Sequence, residues 1–286
     1  MGRKERRSIL ESPQYPTVEL AYIHPGDVSA AFMSSVLRCR DYEMHRTGRL
    51  FGVRERRARS GSIAKARNEM TTVFMAGDAE YLWMVDADMG FARTALQQAL
   101  LIIDKDERPI IGGLCFAHRA EGYDEETNAE FFSHIPTVSV WRKNDEGKVV
   151  AFQTVAEYPR NAISRVDTTG AAFLLIHRSV LERMQAAYGN EWWTQIHHPD
   201  RNDMFGEDTS FFIRADELGI PLHIDTRIKT SHDKGGIFLT EQTYDQQEQL
   251  RAVLAAQTKE AMPNDERSTQ PGTASPEADP VAAGLA

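Results

Sequence analysis

The chain has 286 residues, 41% of them hydrophobic and 26% charged, which is enough apolar content to bury a core and argues against a disordered polyelectrolyte. Its formal net charge of −9 excludes general affinity for nucleic acid through excess positive charge. No apolar run approaches membrane-spanning length, and no apolar segment of signal-peptide length follows the basic start Met1 to Arg7, so a cytoplasmic protein without a membrane span is expected.

Residues 1–16 are charged and proline-bearing and read as a mobile arm. Thr17 to Ile23 is the first expected strand, closed by His24-Pro25-Gly26. Asp27 or Ser29 then caps a helix in which Phe32, Met33, Val36 and Leu37 recur at helical spacing. Cys39 lies in that helix and Cys115 far from it; without metal-ligand spacing, both are expected to be buried reduced thiols. A strand followed by a helix, repeated, is the pattern of a doubly wound α/β protein. Leu50 to Val53 reads as a second strand, Arg54 to Ser62 as a basic loop, and Ile63 to Phe74 as a helix carrying Arg67 and Asn68. Positive charge near a helix N-terminus suits phosphate; a solvated basic loop is the plain alternative.

Tyr81 to Val85 is largely apolar and reads as a buried strand, with Asp86 and Asp88 where it ends and Gly90 permitting a turn before a helix from Ala92 to Ile103. Carboxylates at the carboxyl end of a strand sit in the crevice where α/β sheets bind ligands, and a pair of them suits a hard cation. A helix cap is the competing reading, but it needs one carboxylate and this strand presents two. Pro109 to Phe116 reads as another buried strand. Residues 118–134 are polar and read as an irregular loop over the site. Val138 to Trp141 and Val149 to Phe152 flank Asn144-Asp-Glu-Gly147, a hairpin signal expected to add antiparallel strands to the sheet.

Val166 to Arg178 reads as a strand whose small residues Gly170 to Ala172 permit close approach of a ligand or a second backbone, and Ser179 to Ala187 as a helix. Trp192 to Asp203 is a loop dense in groups that bind sugars or metals. Trp192 and Trp193 offer a stacking face but suit a core equally, and His197, His198, Asp200 and Asp203 suit acceptor contacts or ordinary surface. Gly206-Glu207-Asp208 opens a helix that stops at Gly219, and Pro221 to His232 is the last expected strand. Thr240 to Met262 reads as a terminal amphipathic helix. Residues 263–286 are rich in Pro, Ser, Thr and Ala without periodicity and are expected to be disordered.

Three features follow in order: Asp86-Ala87-Asp88 after a strand, Glu207-Asp208 before a helix, and His232 after the last strand. Together they make residues 17–240 resemble the nucleotide-diphospho-sugar transferases of the GT-A fold, in particular family 2-like glycosyltransferases, including relatives encoded by bacteriophages. The resemblance implies an α/β fold with a mixed, mostly parallel central sheet flanked by helices, and a domain of residues 17–240 followed by a C-terminal helix of 241–262. It implies Asp88 and His232 as ligands of a divalent cation with Asp86 as their partner, and Arg67 and Asn68 facing the nucleotide or its phosphates. An imidazole ligand tilts the expected metal from magnesium toward manganese.

The same resemblance implies Asp208 as general base of an inverting transfer and Glu207 as the residue that orients it or contacts the acceptor. The plain alternative is that both acids favour the dipole of the helix they open. The expected donor is a nucleoside-diphosphate sugar, UDP-linked before GDP-linked, and the acceptor is a protein, a glycan or a nucleic acid. The Gln-x-x-Arg-Trp motif of processive polysaccharide synthases is absent, which sets that class aside. Two further readings stand beside this one: a nucleotidyltransferase of related fold, though His24-Pro-Gly-Asp27 is not its usual Gly-rich basic loop, and a non-catalytic nucleotide-sugar-binding module.

Overall fold

A computed structural model describes residues 17–58, 63–124 and 129–261. The expected N-terminal arm, part of the basic segment before Ile63, and the expected disordered tail lie outside them. The elements are β1 (Val18–His24), α1 (Ala30–Arg46), β2 (Gly52–Arg57), α2 (Ile63–Met75), β3 (Tyr81–Val85), β4 (Met89–Phe91), α3 (Ala95–Ile102), β5 (Ile110–Leu114), β6 (Phe116–Asp124) and β7 (Ala129–Pro136). They continue with β8 (Ser139–Lys143), β9 (Val149–Thr154), β10 (Ile163–Val166), β11 (Phe173–His177), α4 (Arg178–Tyr188), α5 (Glu207–Glu217), β12 (Leu222–Lys234), β13 (Ile237–Leu239) and α6 (Glu241–Ala261). Residue contacts divide the chain into two units, Met1–Asp245 and Gln246–Ala286, so the boundary falls inside α6.

The central sheet has the order β10-β12-β5-β11-β3-β1-β2, with β4 and β13 paired to the far half of β12. Strands β1, β2, β3, β5 and β12 run in one direction, and β10 and β11 run against them. This is the mixed, mostly parallel α/β architecture that the GT-A resemblance implies. Alternation along each strand sends side chains to opposite faces. Trp83, Val85, Phe173 and Leu175 pack on one face with Phe32 and Val36 of α1 and Leu96 of α3. Leu82, Met84, Leu174 and Ile176 pack on the other with Phe74 of α2, Leu181 of α4 and Phe211 of α5. Each such fully buried side chain stabilises the fold by roughly 1.5–3 kcal/mol, which is why these continuous apolar runs form central strands. Both cysteines are free and buried.

Several segments depart from the sequence reading. The arginines after Val53 lie within the edge strand β2, held there by ladder bonds to β1 and by the Arg54–Glu19 and Arg56–Glu69 ion pairs. Residues 118–124 and 129–134 belong to the paired strands β6 and β7 rather than to an irregular loop, because polar residues suit a ribbon exposed on one side. The β8–β9 hairpin forms a two-stranded sheet of its own, tied to the main body through the Ser139–Thr168 bridge, rather than extending the central sheet. Met89 to Phe91 is a short strand paired with Thr230 to His232, so the next helix starts at Ala95 and not at Ala92. The expected strand Val166 to Arg178 is two strands, β10 and β11, separated by residues 167–172.

The sheet directs the site to one end. β1 and β3 finish there together, and because β11 is antiparallel its first residue, Phe173, pairs with the last residue of β3, Val85. β12 shifts register against β5 between Asp225 and Lys229, which carries its final residues over that end of the sheet. Gly112 allows β12 to lie close: a Cβ there would meet Ile224 Cδ1 at 2.5 Å. Among the described residues, no helix is long and apolar enough to cross a membrane.

Candidate functional site

At the carboxyl end of β1 and β3 lies a cavity of about 760 Å³. Its wall is formed by His24 at the end of β1 with Pro25 and Asp27 to Ser29 after it, Ile63 and Arg67 of α2, Asp86 to Asp88 after β3, Glu207 and Asp208 of α5, and Asp233 and Lys234 at the end of β12 with the Gly235-Gly236 turn. A crevice at this end of an α/β sheet is where strand ends present fixed side chains to a ligand.

The Asp86 to Asp88 segment is fixed by its backbone. Asp86 N–H donates to Ala172 O at 3.0 Å, Ser29 N–H to Ala87 O at 2.9 Å, and Asp233 N–H to Asp88 O at 2.9 Å. With the main chain pinned on three sides, both carboxylates project into the cavity. Arg67 Nη2 donates to Asp86 Oδ1 at 3.0 Å, and Arg67 Nη1 lies 3.1 Å from Glu207 Oε1. Only 6% of the Arg67 side chain is exposed, and its guanidinium lies over the Trp193 ring, 5.3 Å from the centroid. Burial opposes the Arg67 charge, but Asp86, Glu207 and Asp208 outweigh it and raise the pKa. Burial raises the pKa of Asp86, with Arg67 opposing and Asp88 adding to the rise.

On the other side of the cavity His232 Nε2 and Lys234 Nζ lie 3.1 Å and 2.9 Å from Asp88 Oδ2. Burial pushes the Asp88 carboxyl upward, but hydrogen bonds and charge from His232 and Lys234 carry it down to about 2. His232 Nδ1 is 2.9 Å from the carbonyl of Phe116, which can only accept, so Nδ1 carries the proton. A carbonyl bond of this kind orients an imidazole for metal ligation through its other nitrogen. Nε2 and a carboxylate oxygen then face each other, an arrangement satisfied by a proton on the ring or by a cation. Asp88 and His232 thus fit a divalent ion that takes its remaining ligands from phosphate and water. Among the described residues no group of three His, Cys, Asp or Glu side chains forms a ready-made metal cage.

Asp208 occupies the first turn of α5, with Oδ1 accepting from Thr209 N–H at 2.7 Å. Its Oδ2 lies 3.9 Å from where a Cβ on Gly170 would stand, so the small residue keeps the space beside this carboxylate open.

No protein-family model matches the chain, and no curated protein is similar to it in sequence. Among solved structures it is similar to GalNAc-T7 with UDP, GalNAc and Mn2+ (TM-score 0.47, 12% identity, 79% of this chain and 45% of that one). It is also similar to A197 from STIV (TM-score 0.44, 16% identity, 78% and 90%). A third is the inositol-1-phosphate CTP transferase from T. maritima (TM-score 0.36, 12% identity, 74% and 86%). These are likenesses of fold. The chain spans less than half the length of GalNAc-T7.

The structure brings Arg67, Asp86, Asp88, Glu207 and Asp208 into the lining of one cavity, with His232 on Asp88. Asn68 is elsewhere. Its Oδ1 accepts from Trp193 N–H and its Nδ2 donates to Thr194 Oγ1, both at 2.9 Å, so the expected contact to phosphate gives way to a contact with the loop after α4. A helix turn of about 100° per residue separates it from Arg67. Trp192 and Trp193 are fully buried, with Trp193 stacked on Phe211 at 4.1 Å, and form no sugar-stacking face. His198 is buried and bonded to Val150 O at 2.7 Å, while His197 bridges to Met204; neither these nor Asp200 and Asp203 line the cavity.

The sequence reading missed Lys234 and the His24 to Ser29 wall. Lys234 stands two residues beyond His232 on one strand, hence on the same face, and β1 ends where β3 does because the two are parallel. Both signals were in the pattern.

Proposed function

We propose that this protein is a glycosyltransferase that uses a nucleoside-diphosphate sugar, UDP-linked before GDP-linked, with a divalent cation, manganese before magnesium. The observation that carries the reading is the convergence of two oppositely equipped walls on one cavity. One is Asp88 with His232 and Lys234, suited to a cation and a diphosphate; the other is Glu207 with Asp208, suited to proton abstraction.

Asp88 and His232 would hold the cation, with Asp86 beside them. The cation, when bound, neutralises charge that builds on the departing diphosphate. The chain's own residues do the rest. Lys234 supplies a mobile positive charge that moves from Asp88 to phosphate oxygens as the donor enters. The His24 to Ser29 segment, with Pro25 and Val28 beside Ile63, forms the less polar part of the wall, suited to the nucleoside. Asp208 takes the proton of the acceptor hydroxyl while the sugar passes through an oxocarbenium-like state with inversion. Glu207, tied to Arg67, positions that turn of α5, and Arg67 at the same time fixes Asp86.

Asp88→Ala tests the assignment. Incubated with manganese and a panel of nucleotide sugars, the wild-type protein should release nucleoside diphosphate, and the variant should lose that release by about 100-fold or more while keeping its circular dichroism spectrum. Full turnover by the variant would sink the metal-site assignment, and pyrophosphate as the product would replace the reading with nucleotidyl transfer.

A further inference from the structure

The β6–β7 hairpin has both feet on the site. Its first residue, Phe116, gives its carbonyl to His232, and Thr137, directly after its last, bonds to Thr169 Oγ1 at 3.0 Å beside Gly170 and Asp208. Along the ladder, His118 pairs with His134 and Ala120 with Phe132, so these residues share one face of the ribbon. Three rings cover that face. His118 stacks on His134 with centroids 5.4 Å apart at 24°, and on Phe132 at 5.2 Å and 25°. Phe132 is 48% exposed, which an apolar ring on a surface ribbon tolerates at a cost unless something covers it.

We propose that this ring stack is the acceptor platform of the enzyme and that its occupant is a saccharide chain, one of whose pyranose rings lays its C–H face on the outer face of Phe132, with His118 and His134 stacked behind it. The proposal rests on the glycosyltransferase reading, and it names the acceptor class for that site. Stacking turns the faces of His118 toward its neighbours, and the negative face left for sugar C–H groups is the outer face of Phe132 at the exposed end of the stack. Burial lowers the pKa of both histidines, helped for His118 by the charges of Lys234 and His232 and for His134 by His118 itself, so the ladder is uncharged at neutral pH. An uncharged ladder on a chain of net charge −9 does not attract a polyanion, and the one hairpin arginine described, Arg119, is paired with Glu121 at 2.8 Å. The geometry of the two feet places a chain lying on the ladder with one end toward Asp208 and the cation side.

Saturation-transfer NMR on the full chain without donor tests this, using cellohexaose, chitohexaose and maltohexaose, with a thymidine decanucleotide and a Ser/Thr-rich peptide as the other arms. At least one oligosaccharide should bind; Phe132→Ala and His118→Ala should each weaken it about tenfold, and Phe132→Trp should retain it, which separates stacking from loss of the hairpin. Failure of all three saccharides to bind, binding undiminished in both alanine variants, or binding of the oligonucleotide or peptide alone would overturn the platform. A protein that binds saccharide here but releases no nucleoside diphosphate from any donor would overturn the enzymatic reading alone. One that turns over donor yet binds no saccharide would overturn the platform alone.

Discussion

Asp88 holds an imidazole and an ammonium on the same carboxylate oxygen. Its pKa in the folded chain, about 2, lies below the ordinary value of 3.8, so the folded state holds this proton less tightly than the unfolded state does. The stability it contributes is therefore fully present above about pH 4 and is lost as pH falls toward about 2. In urea titrations at stepped pH, wild-type protein should exceed Asp88→Asn in stability above that window, and the difference should close within it. A difference that stays constant through the window would mean that Lys234 and His232 do not hold Asp88 in solution. Asp86 follows the opposite logic, raised by burial and kept in place by Arg67, so the two acids of one motif are tuned apart by their neighbours. The sequence shows the pair, and the family resemblance set Asp88 with His232; that Arg67 ties Asp86 to Glu207 was not legible, because those partners come from other elements.

At the scale of elements, α2 is fastened to the loop after α4. Asn68 spends both ends of its amide there, and Trp193 Nε1–H donates to Thr71 Oγ1 at 2.9 Å. Asn68→Ala should cost about 1–3 kcal/mol of stability by stranding buried partners, measured by denaturant unfolding, and leave the affinity for nucleotide unchanged. A selective loss of nucleotide affinity would return Asn68 to the site. The helix itself was legible from its apolar spacing, and so were the strand before Asp86 and the hairpin around Asn144. The β6–β7 pair was not, since His118, Arg119, Glu121 and Ser133 carry no strong strand preference and leave no apolar alternation to mark the two strands. After Lys234 the chain turns on two glycines with positive φ, Gly235 at 69° and Gly236 at 94°. Gly236→Val should strain it by about 1–2 kcal/mol and displace Lys234, seen as a loss of thermal stability together with weaker nucleotide binding.

Taken whole, the molecule joins a sheet read almost strand by strand from its sequence to a site whose members could be named but not connected. Arg67, Asp86, Asp88, Glu207, Asp208 and His232 stand in four separate stretches, and the ends of β3 and β12 with α2 and the first turn of α5 make them neighbours. If the cavity holds a cation and a diphosphate together, manganese with UDP should stabilise the folded state by about 2.7 kcal/mol at a hundredfold excess over Kd, and EDTA should remove the gain. A thermal midpoint indifferent to the pair would count against the cavity as their binding place. The described chain also buries its apolar strands on both faces, so a ligand effect on the midpoint reports on the whole sheet and not on a single loop.

Strand β12 brings His232 to Asp88 across 144 positions of sequence and at the same time fills the gap between β5 and β10. A nascent chain that has emerged only as far as α5 has Asp88 and Asp208 but neither the imidazole nor the strand that covers β5, whose open edge is a template for wrong pairing. The candidate site is thus completed late in translation, once residue 234 has left the ribosome, and any product cut short before it would be an aggregation hazard.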